Sequence, residues 1–270
     1  MAMLLLTGMV KLILVEGNDG PPECRFNQRK CKGLEKASRL GHMILVHGSG
    51  HGDWYKLKPL LEAAGYEVTT VQLGPTLTTS LDSTENITFL NYSKPLFDVM
   101  KCVDHHKVIL VAYSFGGLSI SLAMEKFPKK FMKVPKVWKD SCSITRGNNS
   151  WISFGDKFLK SSFYQLCSPE DFALISTLKR PGSFFPEDLD KIQLSEKKYG
   201  SVNRVYIIAK DDLAIREDFQ REMIANYTVK EVKVIDYSGH EPHLSRPLEL
   251  SAHLLEVARN YSSSSRCHCS

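Results

Sequence analysis

From His42 onward, short runs of aliphatic and β-branched residues alternate with longer segments whose apolar residues recur every three or four positions. No other feature constrains the fold as much. Strand-helix-strand crossovers of this kind close into a mostly parallel sheet with helices on both faces, an α/β architecture. Strands are predicted over Met43–Val46, Tyr66–Val71, Lys107–Ala112, Arg204–Ala209 and Glu231–Ile235, each apolar enough to be covered on both sides. Trp54, Leu57, Leu60, Leu61 and Ala64 make one face of a helix that Gly65 can terminate. Further helices are predicted over 88–101, 115–127, 215–226 and 247–260. Lys157–Arg180 also has helical pattern, with Ser168 as a cap, Pro169 at the first position and Glu170 and Asp171 in the first turn.

With 270 residues, 43% of them hydrophobic, the chain can bury the core of one such domain. The pattern places that domain at residues 41–261, with a flexible N-terminal extension over 1–40 and a flexible tail over 262–270. Met1–Val15 is the one leader-like segment, yet it lacks a basic start, is interrupted by Lys11 and is too short to span a bilayer. Residues 17–39 are rich in Gly, Pro and charge and carry no apolar period. Neither a membrane partner nor secretion is favoured.

The net charge of +5 is spread along the chain without a basic stripe, which argues against nucleic acid as a partner. Seven cysteines, an odd set without scaffold-like spacing, read as reduced thiols in a cytoplasmic protein. Cys267, His268 and Cys269 form a triplet, but no second ligand pair stands at zinc spacing, so no metal site is expected.

The stretch KVILVAYSFGG, Lys107 to Gly117, runs an apolar strand into small-x-Ser-x-Gly and then a helix. In that context a serine, here Ser114, sits on a sharp strand-to-helix turn and is exposed to substrate. Ala112 stands where glycine is usual, while Gly116 and Gly117 keep the other side open. The Phe115 amide at the helix start is one candidate oxyanion donor; the Ser49 amide in His47-Gly48-Ser49-Gly50 is the second.

A serine nucleophile needs a base, and the base needs an orienting carboxylate, in the chain order Ser, acid, His. After RVYIIA come Asp211 and Asp212, and after VKVIDY come Ser238, Gly239 and His240. Asp212 is the preferred acid and Asp211 the alternative, since spacing does not separate neighbours. His243 is a competing base, His51 a loop support, and His105 and His106 precede a strand at the wrong end of the sheet.

The stretches HGSGHGDWYKLKPLLEAAGYEV, VILVAYSFGGLSISLAMEKFP, SFYQLCSPEDFALISTLKRPGSFF, YGSVNRVYIIAKDD and the YSGH loop resemble the plant methylesterase and hydroxynitrile lyase family of α/β-hydrolases, over most of residues 42–261. The resemblance implies an α/β-hydrolase fold with a small helical cap, here shortened and within about 131–190. It implies Ser114 as nucleophile, Asp212 as acid, His240 as base, and an oxyanion hole from the Ser49 and Phe115 amides. It further implies small methyl esters of plant hormones or metabolites as substrates and no cofactor. The chain could also pair as a homodimer, although its sequence does not fix an oligomeric state.

The family's lyases carry a threonine just after the first loop histidine and a lysine right after the catalytic histidine. Gly48 and Glu241 stand there, so cyanohydrin cleavage is not expected. Glu241 also departs from the apolar residue usual in the esterases. A carboxylate there would either raise the pKa of His240 or repel an anionic substrate.

Family members follow the serine helix with a further apolar strand that lies between the serine strand and the acid strand. FMKVPKVWKDSCSITRGNN stands in its place, and Pro135 with its lysines makes it a poor central strand. Adjacent strands are ~4.8 Å apart whereas a hydrogen bond tolerates a few tenths of an ångström, so an absent strand would separate Ser114 from its partners. Either another segment, such as Phe131–Val134, fills the gap, or the chain is an inactive or ligand-binding relative.

Overall fold

A computed structural model of the chain describes residues 10–16, 40–49, 53–74, 88–101, 107–125, 141–146, 149–185, 188–189, 194–226 and 229–262. His51, His105, His106, Phe131–Val134, the Cys267–Cys269 triplet and the tail from 263 lie outside the described residues. The main sheet contains β1 (Val10–Glu16), β2 (His42–Val46), β3 (Glu67–Val71), β4 (Lys107–Ala112), β8 (Asn203–Ala209) and β9 (Glu231–Ile235). Their spatial order is β3-β2-β4-β1-β8-β9.

Alternation along the strands divides the core in two. Met43 and Leu45 of β2, Ile109 and Val111 of β4, and Val205 and Ile207 of β8 pack with Leu57 and Leu61 of α1 (Leu57–Ala63) and Leu250 and Leu254 of α8 (Pro247–Ser262). Ile44, Val46, Val108, Leu110, Tyr206 and Ile208 face the other side. There they meet α2 (Phe89–Lys101), α3 (Gly116–Glu125) and α6 (Glu217–Asn226) through Phe89, Leu96, Leu118 and Met223. Each such side chain contributes about 1.5–3 kcal/mol by burial, and a one-residue slip would exchange every pair between the faces, so register is tightly specified.

The central gap is filled from an unexpected direction. Val10–Glu16, within the segment read above as a flexible extension, is a strand lying antiparallel between β4 and β8. Its register runs from Lys11 opposite Ala112 to Glu16 opposite Lys107 on one side, and from Val10 opposite Ile207 to Leu14 opposite Asn203 on the other. The sequence VKLILVE is apolar between its charged Lys11 and Glu16, as a strand covered on both faces requires. Its partners lie far along the chain, and antiparallel pairing with both neighbours satisfies the ladders that a gap would leave open. Among the described residues, β1 therefore occupies the place between β4 and β8.

The cap also differs from its pattern. β5 (Cys142–Arg146), β6 (Asn149–Ser153) and β7 (Gly182–Phe184) make a small antiparallel sheet. Lys157–Arg180 is not one helix: α4 (Asp156–Phe158) runs into a π-helical turn over Leu159–Phe163, and α5 (Pro169–Leu178) starts afresh. The break follows from Pro169, which keeps Ser168 extended at φ −68° and ψ 157°. Ser168 and Asp171 then form a reciprocal capping box. Asp171 also accepts hydrogen bonds from Lys56, at 2.7 Å, and Tyr55, tying the cap to the sheet domain. α7 (Pro242–Ser245) is a single turn before α8. Among the described residues no helix is long and apolar enough to cross a membrane.

Candidate active site

The parallel strands β2, β4, β8 and β9 end at one edge of the sheet, and each delivers a loop there. After β4, Ser114 adopts a left-handed backbone with φ +50°, a conformation that costs a non-glycine residue about 1–2 kcal/mol. The turn is tight because α3 starts against the end of β2: a β-carbon on Gly116 would lie 2.3 Å from the His47 carbonyl oxygen. The Phe115 ring is anchored among Phe89, Tyr92 and Phe185, which fixes the backbone at the start of α3.

After β8, Asp212 Oδ1 accepts the Ala214 and Ile215 amides, each at 2.8 Å, and its other oxygen faces His240. Gln220 of α6 holds the loop from behind, donating to the Ala209 and Ile215 carbonyls and accepting the Ala209 amide. After β9, His240 donates from Nδ1 to Asp212 Oδ2 at 2.9 Å, which leaves Nε2 to accept from Ser114 Oγ at 3.1 Å. All three residues are buried. The neighbouring Asp211 is exposed, and its backbone ties the loops together: its amide donates to Ser238, and its carbonyl accepts from Gln165.

The loop after β2 is set by His47, whose supporting role the sequence reading did not identify. The Leu73 amide donates to His47 Nε2 at 2.9 Å, so the ring proton resides on Nδ1 and is donated to the Gly48 carbonyl at 2.6 Å. Gly48 passes so close to the serine that a β-carbon there would lie 2.9 Å from Ser114 Cβ. This brings Ser49 to the wall of the cavity that also contains Ser114. The cavity encloses about 100 Å³, and Tyr113, Phe154, Leu159, Phe163, Tyr164 and Ile175 supply most of its apolar wall. Phe163, from the π-helical turn, lies against the His240 ring with centroids 4.2 Å apart, limiting the ring's rotation and its access to water.

His243 is not near the serine in the hydrogen-bond network. Its Nε2 donates to Asp53 at 2.7 Å, and its ring lies against Trp54 and Tyr113. Glu241 is buried beside this pair, bonded to Tyr164 and part of the cavity wall. Burial first, then the charges of Asp53 and Asp212, push its carboxyl well above the usual carboxylate range.

The Alpha/beta hydrolase family profile matches residues 43–253. The chain belongs to that family. Within it the chain is a member of the plant methylesterase and hydroxynitrile lyase group. It is 40% identical to "Methylesterase 2" of Arabidopsis thaliana over 265 residues, covering 84% of this chain and 100% of that protein. It is 39% identical to "Alpha-hydroxynitrile lyase" of the same plant over 255 residues, covering 83% of this chain and 99% of the relative. Among solved structures, polyneuridine aldehyde esterase superposes with a TM-score of 0.73 at 36% identity, covering 81% of this hydrolase-family chain and 99% of the esterase.

Proposed function

We propose that this α/β-hydrolase is a carboxylic-ester hydrolase of the methylesterase type, acting on small methyl esters of plant hormones or metabolites. The observation that carries the reading is the continuous hydrogen-bond chain from Ser114 Oγ through His240 to Asp212, at 3.1 and 2.9 Å. In the proposed cycle His240 Nε2 takes the hydroxyl proton as Ser114 Oγ attacks the ester carbonyl. Asp212 holds the Nδ1 proton in place and stabilises the imidazolium. The Ser49 and Phe115 amides are assigned to the developing oxyanion. His240 then protonates the departing alcohol, and a water activated by the same ring hydrolyses the acyl-serine. The cycle calls for no cofactor, and its partner is a small-molecule ester.

Two observations favour hydrolysis over cyanohydrin cleavage. Glu241 follows His240 where a lyase would carry its cation, and Gly48 has no space for a larger residue beside Ser114. The reading of an inactive or merely ligand-binding relative rested on a gap in the sheet, and β1 occupies that place. The reading keeps the chain in the cytoplasm, where its cysteines stay reduced. Turnover of small aryl and methyl esters by the purified protein, beside Ser114→Ala, tests the proposal. A loss of about 10³-fold or more in the folded variant supports it; equal rates for the two proteins sink it.

A further inference from the structure

Beside the serine cavity, three buried ligand-type side chains converge from the loop after β2 and from the start of α7. His243 Nε2 lies 2.7 Å from Asp53 Oδ1 and 3.7 Å from Glu241 Oε2, and the three ligand atoms lie within 4.8 Å of one another. Glu241 is only 2% exposed, and the oxygen aimed at His243 has no hydrogen-bond partner. Its other interaction, with Tyr164, leaves that oxygen uncommitted. A buried carboxylate oxygen without a partner forfeits its hydration with nothing in return, more so when charged. None of this chemistry is used by the ester-hydrolysis cycle.

We propose that Asp53, Glu241 and His243 form a binding site for a single divalent transition-metal cation of the zinc class. The donor set, one imidazole nitrogen and two carboxylate oxygens, suits borderline ions better than thiophilic or purely oxygen-seeking ones. Bonds of about 2.1 Å would place neighbouring ligand atoms roughly 3.4 Å apart, so the observed spacings need only small side-chain adjustments. On binding, the ring proton of His243 moves from Nε2 to Nδ1, and any proton held by Glu241 is released to solvent. Two carboxylates, one neutral imidazole and a divalent ion then sum to zero charge, removing the cost of buried like charges. Asp53 lies four residues beyond Ser49, and Glu241 follows His240, so the ion would clamp the loop of the proposed oxyanion donor to that of the proposed base.

The full-length protein, stripped with a chelator, is titrated with Co²⁺ and separately with Zn²⁺. Calorimetry is expected to show one ion per chain, with a rise in melting temperature, and the Co²⁺ spectrum to lack the near-ultraviolet thiolate band. Asp53→Asn and His243→Gln are each expected to weaken binding by at least about 100-fold, the upper end of what losing a mere outer-shell partner costs. A double Cys267→Ser, Cys269→Ser variant is expected to bind as the wild type does. Absence of stoichiometric binding overturns the proposal, as does a thiolate band, or affinity lost with the tail cysteines and kept without Asp53. The wild-type spectrum and stoichiometry decide the matter even where a ligand variant fails to fold, and none of these readouts depends on esterase activity.

Discussion

Val111 and Val205 share one partner: Leu12 pairs with Val111 on one side and with Val205 on the other. β4, which leads to Ser114, and β8, which leads to Asp212, are thereby held two strand spacings apart, roughly 9.6 Å. Ser114 lies three residues beyond Val111, Asp212 seven beyond Val205, and His240 bridges them.

Leu12→Pro tests this relationship through the backbone. Proline removes a ladder donor in the middle of a doubly paired strand, so the variant should lose about 3 kcal/mol or more, read as a lower urea midpoint. Ester turnover should fall with it. An unchanged midpoint would mean that β1 does not support the sheet.

The choice between adjacent aspartates has a direct kinetic consequence. Asp212 is bonded to His240, whereas the Asp211 side chain is exposed and only its backbone is engaged with the loops. Asp212→Asn should lower kcat by about 10³–10⁴-fold, because the wrong imidazole tautomer is favoured. Asp211→Asn should stay within about threefold of wild type, as an exposed substitution does. A reversed order would reassign the acid.

Two glycines pack against the serine turn with different expected outcomes. Gly116→Ala would drive a β-carbon into the His47 and Val46 carbonyl oxygens, at 2.3 and 2.8 Å, and should cost about 3 kcal/mol or more of stability. Gly48→Ala would press on Ser114 Cβ at 2.9 Å and on the Tyr113 ring edge at 3.0 Å. It should remain folded while kcat drops by up to about 10²-fold through displacement of the serine. Parallel melts and steady-state kinetics separate the two effects.

Much of this was legible from local pattern. The strands around Lys107–Ala112 and Glu231–Ile235 and the helix from Phe89 to Lys101 follow from apolar periodicity, which the tertiary structure reinforces. The order Ser114, Asp212, His240 was likewise visible, because each follows a recognisable strand. β1 was not, since VKLILVE resembles a leader segment until its distant partners are known. The preference for Asp212 over Asp211 depends on the turn that ties its Oδ1 to the Ala214 and Ile215 amides and leaves Oδ2 to His240. The supports given by His47, Gln220 and Phe163 are contacts between elements far apart in sequence, as is the grouping of Asp53 with Glu241 and His243.

The cap anchor has a defined pH dependence. Burial alone would raise the pKa of Asp171, but hydrogen bonds from Lys56, Tyr55 and Ser168 outweigh it and hold the carboxyl below its ordinary value. A depressed folded pKa contributes stability above the unfolded value, near 3.9, that is lost as pH falls through the folded one. Asp171→Asn should therefore be about 1–2 kcal/mol less stable than wild type at pH 7. The gap should close as pH is lowered below about 4. A gap that persists unchanged in acid would assign the loss to packing instead of charge.

The central claim, that Ser114 carries the acyl group, is tested most directly by trapping the intermediate. The protein is mixed with an activated aryl ester, quenched in acid within the first turnovers and digested for mass spectrometry. The account predicts an acyl adduct on the Ser114 peptide of the wild type, greater accumulation in Asp212→Asn where deacylation is slowed, and none in Ser114→Ala. Ester hydrolysis at the wild-type rate by folded Ser114→Ala, or an adduct confined to another residue, would contradict it.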